Sequence, residues 1–254
     1  MKKVRKILTA AVAAGMAAAM AGTAWAGEWK QDDKGWWYET ENGNYKSVFM
    51  VEIDGEWYSF GENGYMVTGW LPDGEDWYYM DPDGARATGW REIGGKWYFF
   101  DKNGLMLRDE WKNENGKRYY FHSNGQMAVG YFEPVVKKSD RDYYWYYADP
   151  SQGGAIKKDE IVGNMKFNST GKIYVPSEED PSKWVALATA EEIIEATKEN
   201  IETTYLGKIG RYTSNRADIA DDMETEARSM LGTLVPEKEL EEFIDDLRSR
   251  IMFQ

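Results

Sequence analysis

The side chains with the clearest chemical potential in this sequence are aromatic residues that recur at a fixed spacing. The period is 20 or 21 residues, and a glycine follows six residues after each member of the set Tyr58, Tyr78, Tyr98 and Tyr119. The faces of indole and phenol rings attract cations, and they also stack on sugar rings. The repeated aromatics therefore indicate a binding surface for a cation or for a glycan.

This chain of 254 residues has few of the side chains on which common catalytic mechanisms depend. It has no cysteine, which excludes a thiolate nucleophile, a zinc–cysteine site and a disulfide framework. His122 is the only histidine, so a Ser–His–Asp triad would depend on one residue and a multi-histidine metal site is excluded. We expect His122 to be a solvent-facing structural residue, and we predict no catalytic residue, no metal and no cofactor.

Each copy of the repeat has the pattern of a short β-hairpin. Residues 97–100 alternate between two aromatic faces, residues 101–104 form a turn that ends in glycine, and residues 92–96 form a second glycine turn. An isolated hairpin of this size is marginal in water, so the copies must stack. The stacking is expected to bury the repeated tyrosines together with Phe60, Met80, Phe100 and Phe121. The predicted fold class is mainly β, a β-hairpin repeat solenoid followed by a small all-α C-terminal bundle.

One motif runs through the central copies. It reads Gly69-Trp70, Trp77-Tyr78-Tyr79, Gly84 and Gly89-Trp90, with methionine at a further shared position in Met66, Met106 and Met127. The motif resembles the choline-binding cell-wall repeats, and the related glucan-binding repeats, of Gram-positive bacteria. The resemblance covers residues 27–175. It implies a hairpin solenoid that attaches a secreted protein to the envelope without a covalent bond, with ligand boxed by aromatic rings of neighbouring copies.

Matching positions nominate the ligand-binding residues. They are Trp57, Trp70, Trp77, Trp90, Trp97, Trp111 and Tyr119. The expected boxes combine Trp70 and Trp77 with Trp90 or Trp97, then Trp90 and Trp97 with Trp111 or Tyr119, and finally Trp57 with Trp70. Arg118 stands where the other copies have tryptophan and Arg86 where they have methionine, so we predict two or three working sites at most. A purely structural role for the rings is the alternative.

The first 26 residues have the organisation of a secretory signal peptide, with a basic start, an uncharged stretch over residues 7–23 and an Ala24-Trp25-Ala26 cleavage pattern. Cleavage would remove four positive side chains and no negative one, and so change the formal net charge from −13 to −17. Such an acidic surface disfavours nucleic acid, so a bound polymer should be neutral or carry cationic groups. We predict a secreted, wall-associated protein with no integral membrane contact after cleavage.

The composition changes near Pro181, and residues 176–254 are predicted to be an acidic helical domain of unknown role. Thr189 and Glu192 have the spacing of a capping box that opens a helix ending near Gly207. A second helix is predicted from Arg216 to Leu231, and a third from Pro236. The predicted organisation is thus signal peptide 1–26, repeats 27–175 and helices 176–254.

Three functions are compatible with these features. The first is a non-catalytic envelope-binding protein whose repeats hold choline-bearing teichoic acid or a similar wall polymer, with a glucan as the alternative ligand. The second is a wall-modifying enzyme with an unrecognised C-terminal catalytic domain. The third is a helical tail that binds a protein partner, with the repeats as a spacer.

Overall fold

A computed structural model describes residues 27–40, 42–44, 48–135, 144–187, 189–209 and 215–253. The predicted signal peptide lies outside these described residues. Within them, helices that combine the length and the apolar character needed to cross a lipid bilayer are absent. The described residues form antiparallel strands over most of the chain and three α-helices at its C-terminal end, which confirms the predicted mainly β fold class.

The strands pair almost entirely with their sequence neighbours. The strands are β1 (Glu28–Gln31), β2 (Trp36–Thr40), β3 (Gly43–Asn44), β4 (Val48–Ile53), β5 (Glu56–Phe60), β6 (Gly69–Asp73), β7 (Asp76–Met80), β8 (Gly89–Ile93), β9 (Lys96–Phe100), β10 (Glu110–Glu114), β11 (Lys117–Phe121), β12 (Gly130–Phe132), β13 (Tyr146–Asp149), β14 (Ala155–Ile156), β15 (Glu160–Val162), β16 (Met165–Phe167), β17 (Ile173–Pro176) and β18 (Trp184–Ala186). A three-stranded sheet β1–β2–β3 comes first and is followed by four two-stranded hairpins, β4–β5, β6–β7, β8–β9 and β10–β11. A three-stranded sheet β12–β13–β14 and a four-stranded sheet β15–β16–β17–β18 complete the described strands. The predicted hairpin repeat is therefore present.

The turn after each aromatic strand depends on its glycine. Gly84 adopts a φ of 85°, which L-residues with a side chain rarely adopt. Its N–H donates to the carbonyl of Asp81 at 2.7 Å, and the chain then returns to pair Arg86 with Met80. The turn thus adds a short third segment to the hairpin.

A backbone hydrogen bond links each copy to an earlier one and sets the stacking register. The donor lies two residues after the turn glycine, and the acceptor is the carbonyl of the first tryptophan in the aromatic cluster of an earlier copy. The bonds run from Met66 to Trp36 (2.7 Å), from Arg86 to Trp57 (2.8 Å), from Met106 to Trp77 (2.9 Å) and from Met127 to Trp97 (2.8 Å). The residue at the methionine position is therefore held beside an earlier tryptophan.

The chain divides into two compact units. Described residues up to 93, together with 99–106, form the first unit, and residues 94–98 with the described residues from 107 onward form the second. The expected core residues Phe60, Met80, Phe100 and Phe121 are all buried.

The expectation that the repeated tyrosines are core residues was only partly right. Tyr98 is buried, whereas Tyr58, Tyr78 and Tyr119 are half-buried. In the first unit, Tyr58 lies 4.8 Å from the Trp29 ring and Tyr78 lies 5.6 Å from the Phe49 ring, both edge-on. Edge contacts of this kind leave part of each phenol in solvent.

The C-terminal helices are α1 (Ala190–Leu206), α2 (Arg216–Leu231) and α3 (Glu237–Phe253). The predicted capping box is confirmed, because the N–H of Glu192 donates to Thr189 Oγ1 at 3.2 Å and the N–H of Thr189 donates to Glu192 Oε2 at 2.9 Å. The apolar faces of the three helices share one core with strand residues, among them Met165, Phe167 and Ile173. The helices are thus built onto the strands β16 and β17.

The prediction for His122 was wrong, because its ring is half-buried rather than solvent-facing. It packs edge-on between Tyr120 and Phe132, at centroid distances of 5.6 and 5.7 Å. Burial lowers the pKa of the imidazole, and the charge of Asp109 opposes that effect.

Candidate functional site

The strands β6 and β7 bring Trp70 and Trp77 together on one face of a hairpin. Trp70 is paired with Tyr79, and Trp77 with Pro72, so both indoles project to the same side of the sheet. Their ring centroids are 6.2 Å apart and their planes meet at 85°. Trp70 is 37% exposed and Trp77 is 38% exposed. These two rings form the walls of a solvent-open corner, which we call the Trp70–Trp77 notch.

The position of Trp70 is fixed by rings beneath it. Its centroid lies 5.1 Å from that of Tyr79 at an interplanar angle of 72°, and 6.0 Å from that of the fully buried Phe100. Packing on these rings holds Trp70 in place, and a side chain already held in place loses less conformational entropy when it binds a ligand.

At Trp57 the corresponding surface is covered by the protein itself. The guanidinium carbon of Arg86 lies 5.3 Å from the centroid of the Trp57 ring, within the range of a cation–π contact. The Arg86 side chain passes over Gly104, at the place where any other residue would carry a Cβ. Arg86 Nε is buried and has no hydrogen-bond partner in the described part of the chain. The Trp57 ring therefore already has a cation beside it.

At Trp111 a second arginine, Arg118, likewise places a cation beside the indole ring. The guanidinium carbon of Arg118 lies 3.7 Å from the centroid of the Trp111 ring, and Arg118 Nη1 donates to the carbonyl of Thr170 at 2.9 Å. Burial lowers the pKa of Arg118, and the nearby Tyr146 opposes this effect. Trp111 also packs edge-on against Tyr120 and Tyr146, each at 4.9 Å. Trp111 is thus half-buried and has a guanidinium and two phenol rings beside it.

The profile of one protein family matches this part of the chain. It is described as the choline-binding repeat, and it matches residues 50–88 and 87–132, which include the notch and both arginine-covered rings. The chain also covers 97% of the choline binding domain of Spr1274 from Streptococcus pneumoniae at 39% sequence identity. This chain belongs to the choline-binding repeat proteins. The resemblance inferred from the motif is therefore confirmed.

Solved structures of other choline-binding repeat proteins cover more of the chain. CbpJ from Streptococcus pneumoniae TIGR4 is 33% identical over 58% of this chain, with a TM-score of 0.49. Choline binding protein F from the same species is 32% identical over 58%, with a TM-score of 0.48, and the Spr1274 domain aligns over 25% with a TM-score of 0.24. The chain spans about half the length of the first two proteins, 47% in each case. Among curated proteins, no sequence matches this chain.

The other predicted ligand-binding residues, Trp90, Trp97 and Tyr119, differ in how far they are exposed. In the first unit, Trp90 is half-buried and packs edge-on against Phe99 at 5.3 Å. In the second unit, Trp97 is 43% exposed, and Tyr119 is half-buried with its pKa raised by burial. The ligand-binding role of these three residues stays a prediction.

The contact of Arg86 with Trp57 was missed by sequence reasoning, although the replacement of methionine by Arg86 was visible. To predict this contact from the sequence, one would have to know that the methionine position of one copy lies beside the first tryptophan of an earlier copy. The two positions are linked by a backbone hydrogen bond between residues 29 positions apart, from Arg86 to Trp57. The repeat period alone does not show which ring such a side chain will cover.

Proposed function

We propose that the protein binds choline groups of a cell-wall polymer at the Trp70–Trp77 notch, and that it is a secreted, non-catalytic wall protein of a Gram-positive bacterium. The single observation that carries the proposal is a pair of perpendicular, partly exposed indoles within a choline-binding repeat. In this proposal residues 1–26 direct export, residues 27–175 attach the protein to the wall and residues 176–254 face outward. Trp90, Trp97 and Tyr119 would serve further sites of the same kind.

The chemistry of choline fits such a notch. A quaternary ammonium carries no N–H, so it gains little from hydrogen-bond acceptors, whereas aromatic faces attract it through their negative quadrupole. Each face contributes about 0.5 to 2 kcal/mol, and a dissociation constant of about 1 mM corresponds to about 4 kcal/mol. Two rings therefore support weak binding at one notch.

Weak binding at single sites can give firm attachment when the protein has several sites and the polymer carries many ligand groups. A wall polymer displays many head groups, and a chain with more than one working site gains avidity through a high effective concentration. The formal net charge of −13 supports a cationic head group over an anionic one, because the surface attracts positive ligands. The notch and the net charge therefore favour the same class of ligand.

A glucan is the second candidate, because exposed indole faces also stack on sugar rings. It is separated from choline by competition. The full chain should be retained on a resin that displays a tertiary or quaternary amine and should be released by free choline, while short glucans should release none of it.

The same proposal is tested on isolated cell walls. The wild-type chain should bind walls and be displaced by choline, and the Trp77→Ala variant should bind more weakly. A lysis band in zymography on purified walls would contradict the non-catalytic assignment. Failure to bind both the amine resin and the walls would overturn the attachment function.

A further inference from the structure

A cavity of about 390 Å³, partly open to solvent, is lined by residues of the second unit. Its walls come from the strand region between residues 147 and 167 and from the helices α1 and α2. Small-molecule sites usually occupy about 300 to 1,000 Å³. The cavity is therefore large enough for a small organic ligand.

Part of the lining is apolar and rigid. Met165 and Phe167 belong to the fully buried core, and Tyr147 stands beside them. Burial raises the pKa of the Tyr147 hydroxyl to about 12, and Ser229 is hydrogen bonded to it. This hydroxyl is thus an uncharged polar group on an otherwise apolar side of the cavity.

Asn200 on α1 lines the same cavity, and its side-chain oxygen is buried without a hydrogen-bond partner among the described residues. It is 3% exposed, and its Oδ1 accepts no hydrogen bond from the described residues. The oxygen lies against the Cα of Gly163, where any side chain would collide with it. Buried amide groups are nearly always hydrogen bonded. A ligand that donates a hydrogen bond to this residue from the cavity would satisfy the oxygen.

The charge of the lining favours a cation. Lys157 is compensated, because its Nζ lies 3.3 Å from Asp149 and 3.2 Å from Glu160. Glu226 accepts a hydrogen bond of 2.6 Å from the hydroxyl of the buried Tyr205, and in the described parts of the chain it has no ion pair with lysine or arginine. Asp222 adds another carboxylate to the lining.

We propose that this cavity binds a small hydroxylated amine in its ammonium form, the chemical class of an amino sugar, with the ammonium at Glu226 and a donor directed to Asn200. Thr225 and Ser229 lie on the same wall and match the hydroxyl groups of such a ligand. Choline fits less well, because its quaternary ammonium has no N–H to donate to Glu226 and its single hydroxyl can satisfy only one acceptor. The two binding chemistries of the chain are therefore different, and this inference does not depend on the notch.

The test is calorimetric titration of the full chain with D-glucosamine and with N-acetyl-D-glucosamine, in saturating choline so that the repeat notches are filled. About pH 6 is suitable, because an amine of this kind is protonated there. D-glucosamine should bind, and the neutral N-acetyl sugar should bind about tenfold more weakly or worse. Absence of D-glucosamine binding, or equal affinity for both sugars, would overturn the proposal.

Two glutamate variants test whether D-glucosamine binds at Glu226. Glu226→Gln keeps the shape of the side chain and should weaken D-glucosamine binding about tenfold, because it removes the carboxylate that meets the ammonium. Glu195→Gln makes the same charge change on the exposed side of α1 and should leave the affinity unchanged. Circular dichroism establishes that both variants are folded. Unchanged affinity in a folded Glu226→Gln variant would refute the assignment.

Discussion

Arg86 holds its guanidinium carbon 5.3 Å from the centre of the Trp57 ring, and its backbone N–H donates to the Trp57 carbonyl at 2.8 Å. In the same unit Trp70 is 37% exposed and Trp77 is 38% exposed, whereas Trp57 is half-buried. Arg86 stands at the position where other copies have methionine.

The first prediction concerns removal of that internal cation. Arg86→Met should expose the Trp57 face and raise the choline bound per chain by about one equivalent, because a ligand cation can then take the place of the guanidinium. Calorimetry gives the stoichiometry. Lys102→Met, which removes a charge from a nearby turn, is the control and should change nothing. An Arg86→Met variant with the wild-type stoichiometry would show that Trp57 is only a packing residue.

The second prediction concerns the notch itself. Trp77→Ala should weaken choline binding about tenfold, since one cation–π contact of about 1 to 2 kcal/mol is lost, and Trp77→Phe should lose less. Fluorescence titration of the full chain measures both. Trp184→Ala, outside the matched repeats, should retain the wild-type affinity. Equal affinities for Trp77→Ala and wild type would show that choline does not bind at the notch.

The third prediction compares two turn glycines. Gly74 and Gly84 both have positive φ, but a Cβ at Gly74 would meet open space, whereas at Gly84 it would overlap the Met66 side chain. Gly74→Ala should cost about 1 kcal/mol of unfolding free energy from backbone strain, and Gly84→Ala about 2 to 4 kcal/mol. Urea denaturation measures the difference. Met66→Ala should partly rescue Gly84→Ala, and equal effects of the two glycine changes would argue against the packing.

The fourth prediction concerns the start of α1. Thr189→Ala should lower the unfolding free energy of the helical part by about 1 kcal/mol, because it removes the side-chain acceptor for the Glu192 N–H. Denaturation followed by helical circular dichroism measures this. Thr204→Ala changes an exposed threonine near the other end of the same helix and should have a smaller effect. A Thr189→Ala variant as stable as wild type would contradict the capping role.

The fifth prediction is a pH dependence from His122. Burial lowers its folded-state pKa below the ordinary value of 6.5, so the unfolded chain takes up the proton first as the pH falls. Stability should therefore be highest above about pH 6.5 and should decrease below it until the folded-state pKa is passed. His122→Gln should remove this slope. Since the chain has one histidine, NMR titration of its ring gives the pKa directly, and a value above 6.5 would contradict the burial argument.

Local features were predictable from the sequence where one short segment determines them. The hairpins follow from alternating aromatics and turn glycines, and α1 follows from Thr189 and Glu192, which interact within one helical turn. The cover of Trp57 by Arg86 was not predictable, since it depends on a contact between copies. The cavity around Asn200 was not predictable either, because its lining comes from strands and helices with no shared period.

Choline binding at the Trp70–Trp77 notch can be tested by locating choline on the full chain. Nuclear Overhauser effects between the choline methyl protons and assigned indole protons report which rings the ligand touches. We expect contacts to Trp70 and Trp77, and none to Trp57 and Trp111, which have arginines beside them. Contacts to Trp57 or Trp111 with none to Trp70 and Trp77, or no contact to any of these rings, would contradict this expectation.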